Sequence, residues 1–209
     1  MTDKNKALIV VVLDHSGSME KIQGDMVGGF KTFMEEQKAL PGICEVSLYQ
    51  FDDRYETVYE QKPIGEVPKL VLEPRGSTAL WDALGRSIIN VGMGLSKLPE
   101  EQRPGAVVVL VITDGQENAS QEFTAPRVRE MIKVQQSDYQ WKFAYLGASE
   151  SSFNDAQHLG IATAGQYVAS AAGVNQLYAA TSKGVGSYRD SIQRGVSNAA
   201  LDIDLKDKK

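Results

Sequence analysis

The chain has 209 residues, 42% hydrophobic and 23% charged, which is typical of one globular domain with a substantial core. A net charge of −5 without a run of Lys or Arg disfavours a nucleic-acid-binding surface and slightly favours basic partners. The single cysteine, Cys44, has no partner for an internal disulfide, which fits a buried thiol in a reducing compartment. The apolar run 7–13 is too short to span a bilayer, so we expect a cytoplasmic protein without a signal peptide or membrane anchor.

The first part of the chain predicts a buried strand, a helix and a hairpin. The continuous apolar run 7–13 is typical of a strand buried on both faces of a parallel sheet, and apolar residues from 19 to 34 have helical spacing. Strands over 43–51 and 55–60 follow, the second as an edge strand, and the gap between them suits an antiparallel hairpin. That gap is Asp52-Asp53-Arg54, which we interpret as a turn, with an auxiliary cation site as the alternative.

The rest of the chain alternates helices and strands. The predicted elements are a helix over 80–98 with Thr78 at its N-cap, a buried strand over 106–112, a helix over 125–136, a strand over 141–146, a short helix over 152–160, an edge strand over 161–163 and a long helix over 174–192. This order predicts a doubly wound α/β fold with about six strands, mostly parallel with one antiparallel edge strand, and helices on both faces. We expect a single domain over 1–200 and an exposed charged tail over 201–209.

Oxygen-bearing side chains follow both of the buried strands. Asp14, Ser16 and Ser18 alternate along one tight loop, so their side chains can point to one place. Asp114 follows the strand 106–112, and the carboxyl ends of parallel strands open on the same edge of a sheet. Thr78 joins them if its helix begins there. Five oxygen side chains without a soft ligand select Mg²⁺ or Mn²⁺ over Zn²⁺ and leave the coordination shell incomplete.

Three short motifs carry a family resemblance: Asp14-His15-Ser16-Gly17-Ser18, Gly76-Ser77-Thr78 and Thr113-Asp114-Gly115. In this order they resemble the metal-ion-dependent adhesion site of a von Willebrand factor A domain, and the match covers nearly the whole chain. The resemblance implies that the hydroxyls of Ser16, Ser18 and Thr78 contact the ion while Asp14 and Asp114 act largely through water. It also implies that an acidic side chain of another protein completes the shell, so the expected function is metal-dependent protein binding rather than catalysis.

Four neighbours of the predicted ligands are candidates for contact with that partner: His15, Ser77, Gly115 and Glu117. The side chain of His15 is expected to point away from the ligands, which leaves a packing or surface role open. Glu117 is equally explained by a solvated turn.

An enzyme is the main alternative function. Haloacid-dehalogenase-type phosphotransferases also place an aspartate, here Asp14, after an apolar strand, but they need a second acid two residues later, where this chain has Ser16. A hydrolase that uses metal-bound water lacks a well-placed general base. Structural assembly without a metal is a third possibility.

Overall fold

Two long strands form the centre of the molecule. The computed structural model describes residues 1–149 and 151–205. β1 (Asp3–Asp14) and β4 (Pro104–Thr113) are parallel neighbours, with Val10 opposite Val109. Their branched apolar side chains are buried on both faces of the sheet, which confirms the prediction made from the two apolar runs.

The sheet has six strands in the order β3-β2-β1-β4-β5-β6. The other strands are β2 (Ile43–Phe51), β3 (Tyr55–Pro63), β5 (Lys142–Gly147) and β6 (Thr163–Gln166). β3 lies at one edge and is antiparallel to β2, and the remaining neighbours are parallel. The predicted mostly parallel sheet with one antiparallel edge strand is therefore confirmed.

The last strand lies later in the chain than predicted. β6 begins at Thr163, whereas the apolar character of Ile161 had placed a strand over 161–163. Ile161 instead donates its amide to the carbonyl of Ala156, closing the turn after the preceding helix, and its side chain is buried in the core. Burial without strand pairing explains the misplacement.

Five helices cover the sheet within the described residues: α1 (Gln23–Ala39), α2 (Leu80–Ser96), α3 (Ala125–Asp138), α4 (Ser152–His158) and α5 (Ala171–Gln193). Successive β1 side chains point to opposite faces: Ile9 and Val11 pack with α1 and α5, and Leu8 and Val10 pack with α2, α3 and α4. No helix in 1–149 or 151–205 is long and apolar enough to cross a membrane. Cys44 is buried in β2, as expected.

The first predicted helix is divided into two segments. A 3-10 turn spans Gly17–Ile22, and α1 starts only at Gln23. The amide of Met19 donates to the carbonyl of Ser16, which tightens the chain directly after β1. This turn keeps the hydroxyls of Ser16 and Ser18 at the edge of the sheet.

Residues 201–205 are packed against the domain through their apolar side chains, while Asp202 and Asp204 are exposed, so the prediction of an exposed tail is wrong only for the apolar residues of this part. Leu201 and Ile203 are buried with the α1/α5 side of the core, and the hydroxyl of Thr163 donates to the carbonyl of Leu201. Apolar residues at every second position give this segment a buried face despite its charges. The remaining predicted tail residues, 206–209, lie outside the described part of the chain.

Gly184 in α5 allows the segment to approach closely. A Cβ at this position would overlap the carbonyl oxygen of Asp202. We expect Gly184→Ala to lower the free energy of unfolding by about 1–3 kcal/mol, because backbone must shift to accept the methyl group. Urea denaturation measures this change.

Gly92→Ala is the matched control. A Cβ at Gly92, inside α2, meets no atom within 4 Å, so this change should raise stability by about 0.5–1 kcal/mol through better helix propensity. Equal stability of Gly184→Ala and the wild type would contradict the packing of residues 201–205.

Candidate metal centre

Three loops meet at the carboxyl edge of the sheet. The loop after β1 carries residues 14–18, the segment before α2 carries residues 75–79, and the loop after β4 carries residues 113–118. The amide of Gly17 donates to the carbonyl of Gly76 at 3.3 Å, and the amide of Asn118 donates to the carbonyl of Thr78 at 3.0 Å. Backbone hydrogen bonds thus join the middle loop to each of the other two.

The five predicted ligand side chains form one cluster around Gly115. The hydroxyl of Ser18 donates to Asp114 Oδ1 at 2.5 Å and lies 3.2 Å from the hydroxyl of Ser16. A Cβ at Gly115 would lie 2.9 Å from Thr78 Oγ1, 3.5 Å from Asp14 Oδ2 and 3.7 Å from Ser16 Oγ. The structure therefore brings all five side chains together, and glycine at 115 keeps the space between them clear.

Asp14 is the buried anchor of the cluster. Its Oδ1 accepts the amide of Ser16 at 2.7 Å, and its Oδ2 accepts the hydroxyl of Thr113 at 2.5 Å. Burial raises the pKa of Asp14 from its ordinary 3.8 to about 6, although these hydrogen bonds oppose the rise. Burial also raises the pKa of Asp114. Burial thus makes both neighbouring carboxyls costly to ionise, and the positive charge of a bound cation would offset that cost.

The chemistry of the donors fits a hard divalent cation. The cluster consists of two carboxylates and three hydroxyls, whose oxygens suit Mg²⁺ or Mn²⁺. Among residues 1–149 and 151–205, no three His, Cys, Asp or Glu side chains are grouped so that they could hold a metal by themselves. A cation here would depend on the hydroxyls and on additional oxygens from water or another molecule.

Comparison with known proteins gives the fold. No protein-family model and no curated protein sequence matches the chain. Among solved structures, it resembles a von Willebrand factor type A protein from Catenulispora acidiphila, with a TM-score of 0.59 and 15% identity over 87% of this chain and 43% of that one. The chain has a von Willebrand factor A-like fold. The pilus adhesin SpaC from Lactobacillus rhamnosus GG is similar at a TM-score of 0.62 and 16% identity, over 87% of this chain and 30% of the adhesin.

A variant of the PilB minor pilin from Streptococcus sanguinis is a third similar structure, with a TM-score of 0.57 and 13% identity over 92% of this chain and 63% of the pilin. The chain thus spans less than two thirds of each of these proteins. At these low identities, the similarity of the chain to all three proteins shows the von Willebrand factor A-like fold alone.

His15 belongs to a network with Asp52 and Arg75 next to the oxygen cluster. It is buried, with its Nε2 at 3.4 Å from Asp52 Oδ2, and burial lowers its pKa. Asp52 is also buried, in the turn between β2 and β3, and accepts Arg75 Nε and the amide of Arg54, both at 2.6 Å. Although burial opposes ionisation of Asp52, these hydrogen bonds hold its pKa below the usual value.

Sequence reasoning missed two contributors to this arrangement. Thr113 orients Asp14, and its place in the Thr-Asp-Gly motif was the available signal. Asp52 was interpreted as a turn residue, and the turn is present, but its carboxylate also binds Arg75, whose amide donates to the carbonyl of His15. Nothing in the sequence pattern distinguished this buried acid from an ordinary turn acid.

The three other candidates for partner contact, Ser77, Gly115 and Glu117, differ in whether they are free to make that contact. Ser77 is exposed, and Gly115 lines the cluster. Glu117 accepts four hydrogen bonds, from the amides of Trp81, Ala119 and Ser120 and from the hydroxyl of Ser120.

Thr78 does not cap α2, contrary to prediction. The helix begins at Leu80 with Ala79 at the N-cap position, and the Thr78 hydroxyl faces Gly115 instead. The neighbouring loop satisfies the amide of Trp81 through Glu117 and the amide of Asp82 through the Ser120 hydroxyl, so the helix is capped without a residue of its own.

The raised pKa of Asp14 predicts an unusual pH dependence for protein stripped of divalent ions. In the folded state the Asp14 carboxyl stays protonated up to about pH 6. Its ionisation should therefore lower the free energy of unfolding by roughly 3 kcal/mol as the pH rises from about 4 to above 6. Urea denaturation of the wild type and of Asp14→Asn across this range isolates the effect, since the variant cannot ionise there. Parallel stability curves for the two proteins would contradict the prediction.

Proposed function

We propose that this protein is a protein-binding module that depends on Mg²⁺ or Mn²⁺. The observation that carries the proposal is the convergence of Asp14, Ser16, Ser18, Thr78 and Asp114, from three separate loops, around the space left by Gly115. A bound cation would supply positive charge for an incoming carboxylate of the partner. The names of the structural neighbours, which include a pilus adhesin, support an adhesive role for the fold.

The balance of charged and neutral donors favours a reversible interaction. Hydroxyls from Ser16, Ser18 and Thr78 neutralise none of the ion's charge, so it would retain attraction for an external acid. Asp14 and Asp114 would hold the ion by charge, and the hydrogen bonds of Asp14 to Thr113 and Ser16 fix its orientation. Ser18 is exposed and Asp114 is half-buried, so the cluster is accessible from outside.

A polar recess beside the cluster offers a second point of contact. Its volume is about 580 Å³, and Asn118, which accepts the amide of Thr78, belongs to its lining. Asp53, Asp82 and Glu122 line it together with a single arginine, Arg86. A partner that presents an acidic residue to the ion and a basic residue to this recess would fit both features.

Catalysis is not part of the proposal. A phosphatase nucleophile at Asp14 is disfavoured because the carboxylate is fully buried and both oxygens accept hydrogen bonds. Ser16 also stands where the phosphotransferase pattern requires an acid.

Metal binding is tested first with a change that removes one hydroxyl and keeps side-chain shape. Thr78→Val should weaken Mn²⁺ binding at least about tenfold, because it deletes one of five donors without disturbing the loop. Ser77→Ala removes the adjacent exposed hydroxyl and should leave the affinity within about twofold. Isothermal titration calorimetry measures both, and equal affinities of the two variants would argue against the assigned ligand set.

Partner binding is tested by affinity capture in Mg²⁺ and in chelator. A protein retained by the wild type in Mg²⁺ should be lost in chelator and with Thr78→Val, and substitution of one acidic residue of that protein by its amide should abolish capture. If the same set of proteins is captured in chelator as in Mg²⁺, the proposal is refuted. Metal-dependent turnover of a phosphate ester that disappears in Asp14→Asn would instead favour the enzyme.

A further inference from the structure

Glu117 lies between the loop after β4 and the start of α2. Its Oε2 accepts the amide of Trp81 at 2.9 Å and the hydroxyl of Ser120 at 2.7 Å. Its Oε1 accepts the amide of Ala119 at 2.9 Å and the amide of Ser120 at 2.7 Å. Four donors converge on one carboxylate, so it links the loop to the first turn of the helix.

The first turn of α2 is capped from the loop: Glu117 accepts the amide of Trp81, and the hydroxyl of Ser120 accepts the amide of Asp82 at 3.1 Å. Ala79 occupies the N-cap position of α2 and has no side-chain acceptor. The first amides of a helix have no partner within the helix, and negative charge is favourable at this end. Glu117 accepts one of these amides and supplies the negative charge from outside the helix, and its bond to Ser120 orients the hydroxyl that accepts the amide of Asp82.

The same loop also holds the backbone of Thr78. Asn118 Oδ1 accepts the amide of Thr78 at 2.9 Å, and the carbonyl of Thr78 accepts the amides of Asn118 and Ala119 at 3.0 and 3.2 Å. Asp114 belongs to this loop, a few residues before Glu117. The relative position of the Thr78 hydroxyl and the Asp114 carboxylate therefore depends on how firmly the loop and the helix are joined.

We propose that Glu117 is a positioning residue for the cation site, holding Thr78 in place against Asp14 and Asp114 without supplying an oxygen to the ion. The inference rests on the proposed metal-binding function and assigns Glu117 a role other than partner contact. Each carboxylate oxygen of Glu117 already accepts two hydrogen bonds from α2 or the loop, and these contacts lie next to Thr78.

Asp82 provides a matched control within the same pair of elements. Its Oδ1 accepts the amides of Glu122 and Phe123 at 2.9 and 2.7 Å, and its Oδ2 accepts the amide of Gln121 at 2.9 Å. Like Glu117, it accepts hydrogen bonds from three backbone amides. All three come from the loop, whereas only the amide of Trp81 joins Glu117 to α2, and the Asp82 contacts lie beyond the residues that hold Thr78.

The experiment compares Glu117→Gln with Asp82→Asn. Each amide keeps the size of the original side chain but replaces one acceptor oxygen by a donor. We expect Glu117→Gln to weaken Mn²⁺ binding about tenfold, and Asp82→Asn to change it less than about threefold. Urea denaturation in chelator measures the loss of stability of each variant, and amide hydrogen exchange of residues 78–82 in chelator should rise more in Glu117→Gln.

The possible results separate this inference from the proposed function. Absence of Mn²⁺ binding by the wild type would overturn the proposed function and this inference with it. Mn²⁺ binding by the wild type with unchanged affinity in Glu117→Gln, or with equal losses in both variants, would overturn the positioning role alone. If Glu117→Gln does not fold, Glu117→Asp decides, because it keeps the charge but withdraws the carboxylate from the amide of Trp81: a severalfold loss of Mn²⁺ affinity supports the inference, and wild-type affinity refutes it.

Discussion

The parallel pairing of β1 with β4 determines where the oxygen cluster forms. Because both strands are buried on both faces and run in register, Leu13 lies opposite Ile112, and the chain leaves the sheet at the same edge in both cases. The strand pairing alone therefore places Asp14 beside the Thr113-Asp114-Gly115 turn. Backbone hydrogen bonds then join the middle loop to its neighbours on both sides, among them Gly17 to Gly76 and Asn118 to Thr78, and bring in the third source of oxygen.

Burial of the Asp14 carboxylate carries an energetic cost. The Asp14 carboxylate is removed from water and hydrogen-bonded to Thr113 and Ser16, yet these bonds do not offset the loss of hydration, and its pKa stays high. A second buried acid, Asp52, has the opposite balance because Arg75 accompanies it. Two acids on adjacent loops thus differ in whether the protein itself supplies the compensating cation.

Structural features that depend only on which residues are buried could be predicted from the sequence. The apolar runs of β1 and β4, the antiparallel β2–β3 hairpin and the alternation of helices and strands follow from side-chain periodicity, and the loops after the central strands then follow from topology. Ile161 and Leu201 show the limit, because an apolar residue indicates burial but not whether a strand, a turn or a terminal segment buries it. Long-range hydrogen bonds such as those of Glu117 to Trp81 or Asp52 to Arg75 could not be predicted, since no local pattern records which distant amide or guanidinium a carboxylate will meet.

The distribution of the cluster along the chain has a consequence for assembly. Asp14 and the Thr113 that orients it are 99 residues apart in sequence, and Thr78 comes from a loop between them. Closing such long loops is slow and entropically costly, so the oxygens are dispersed until the central strands have paired. A cation has no preformed site on the unfolded chain and would act after folding, by slowing the loss of structure already formed rather than by guiding the chain toward it.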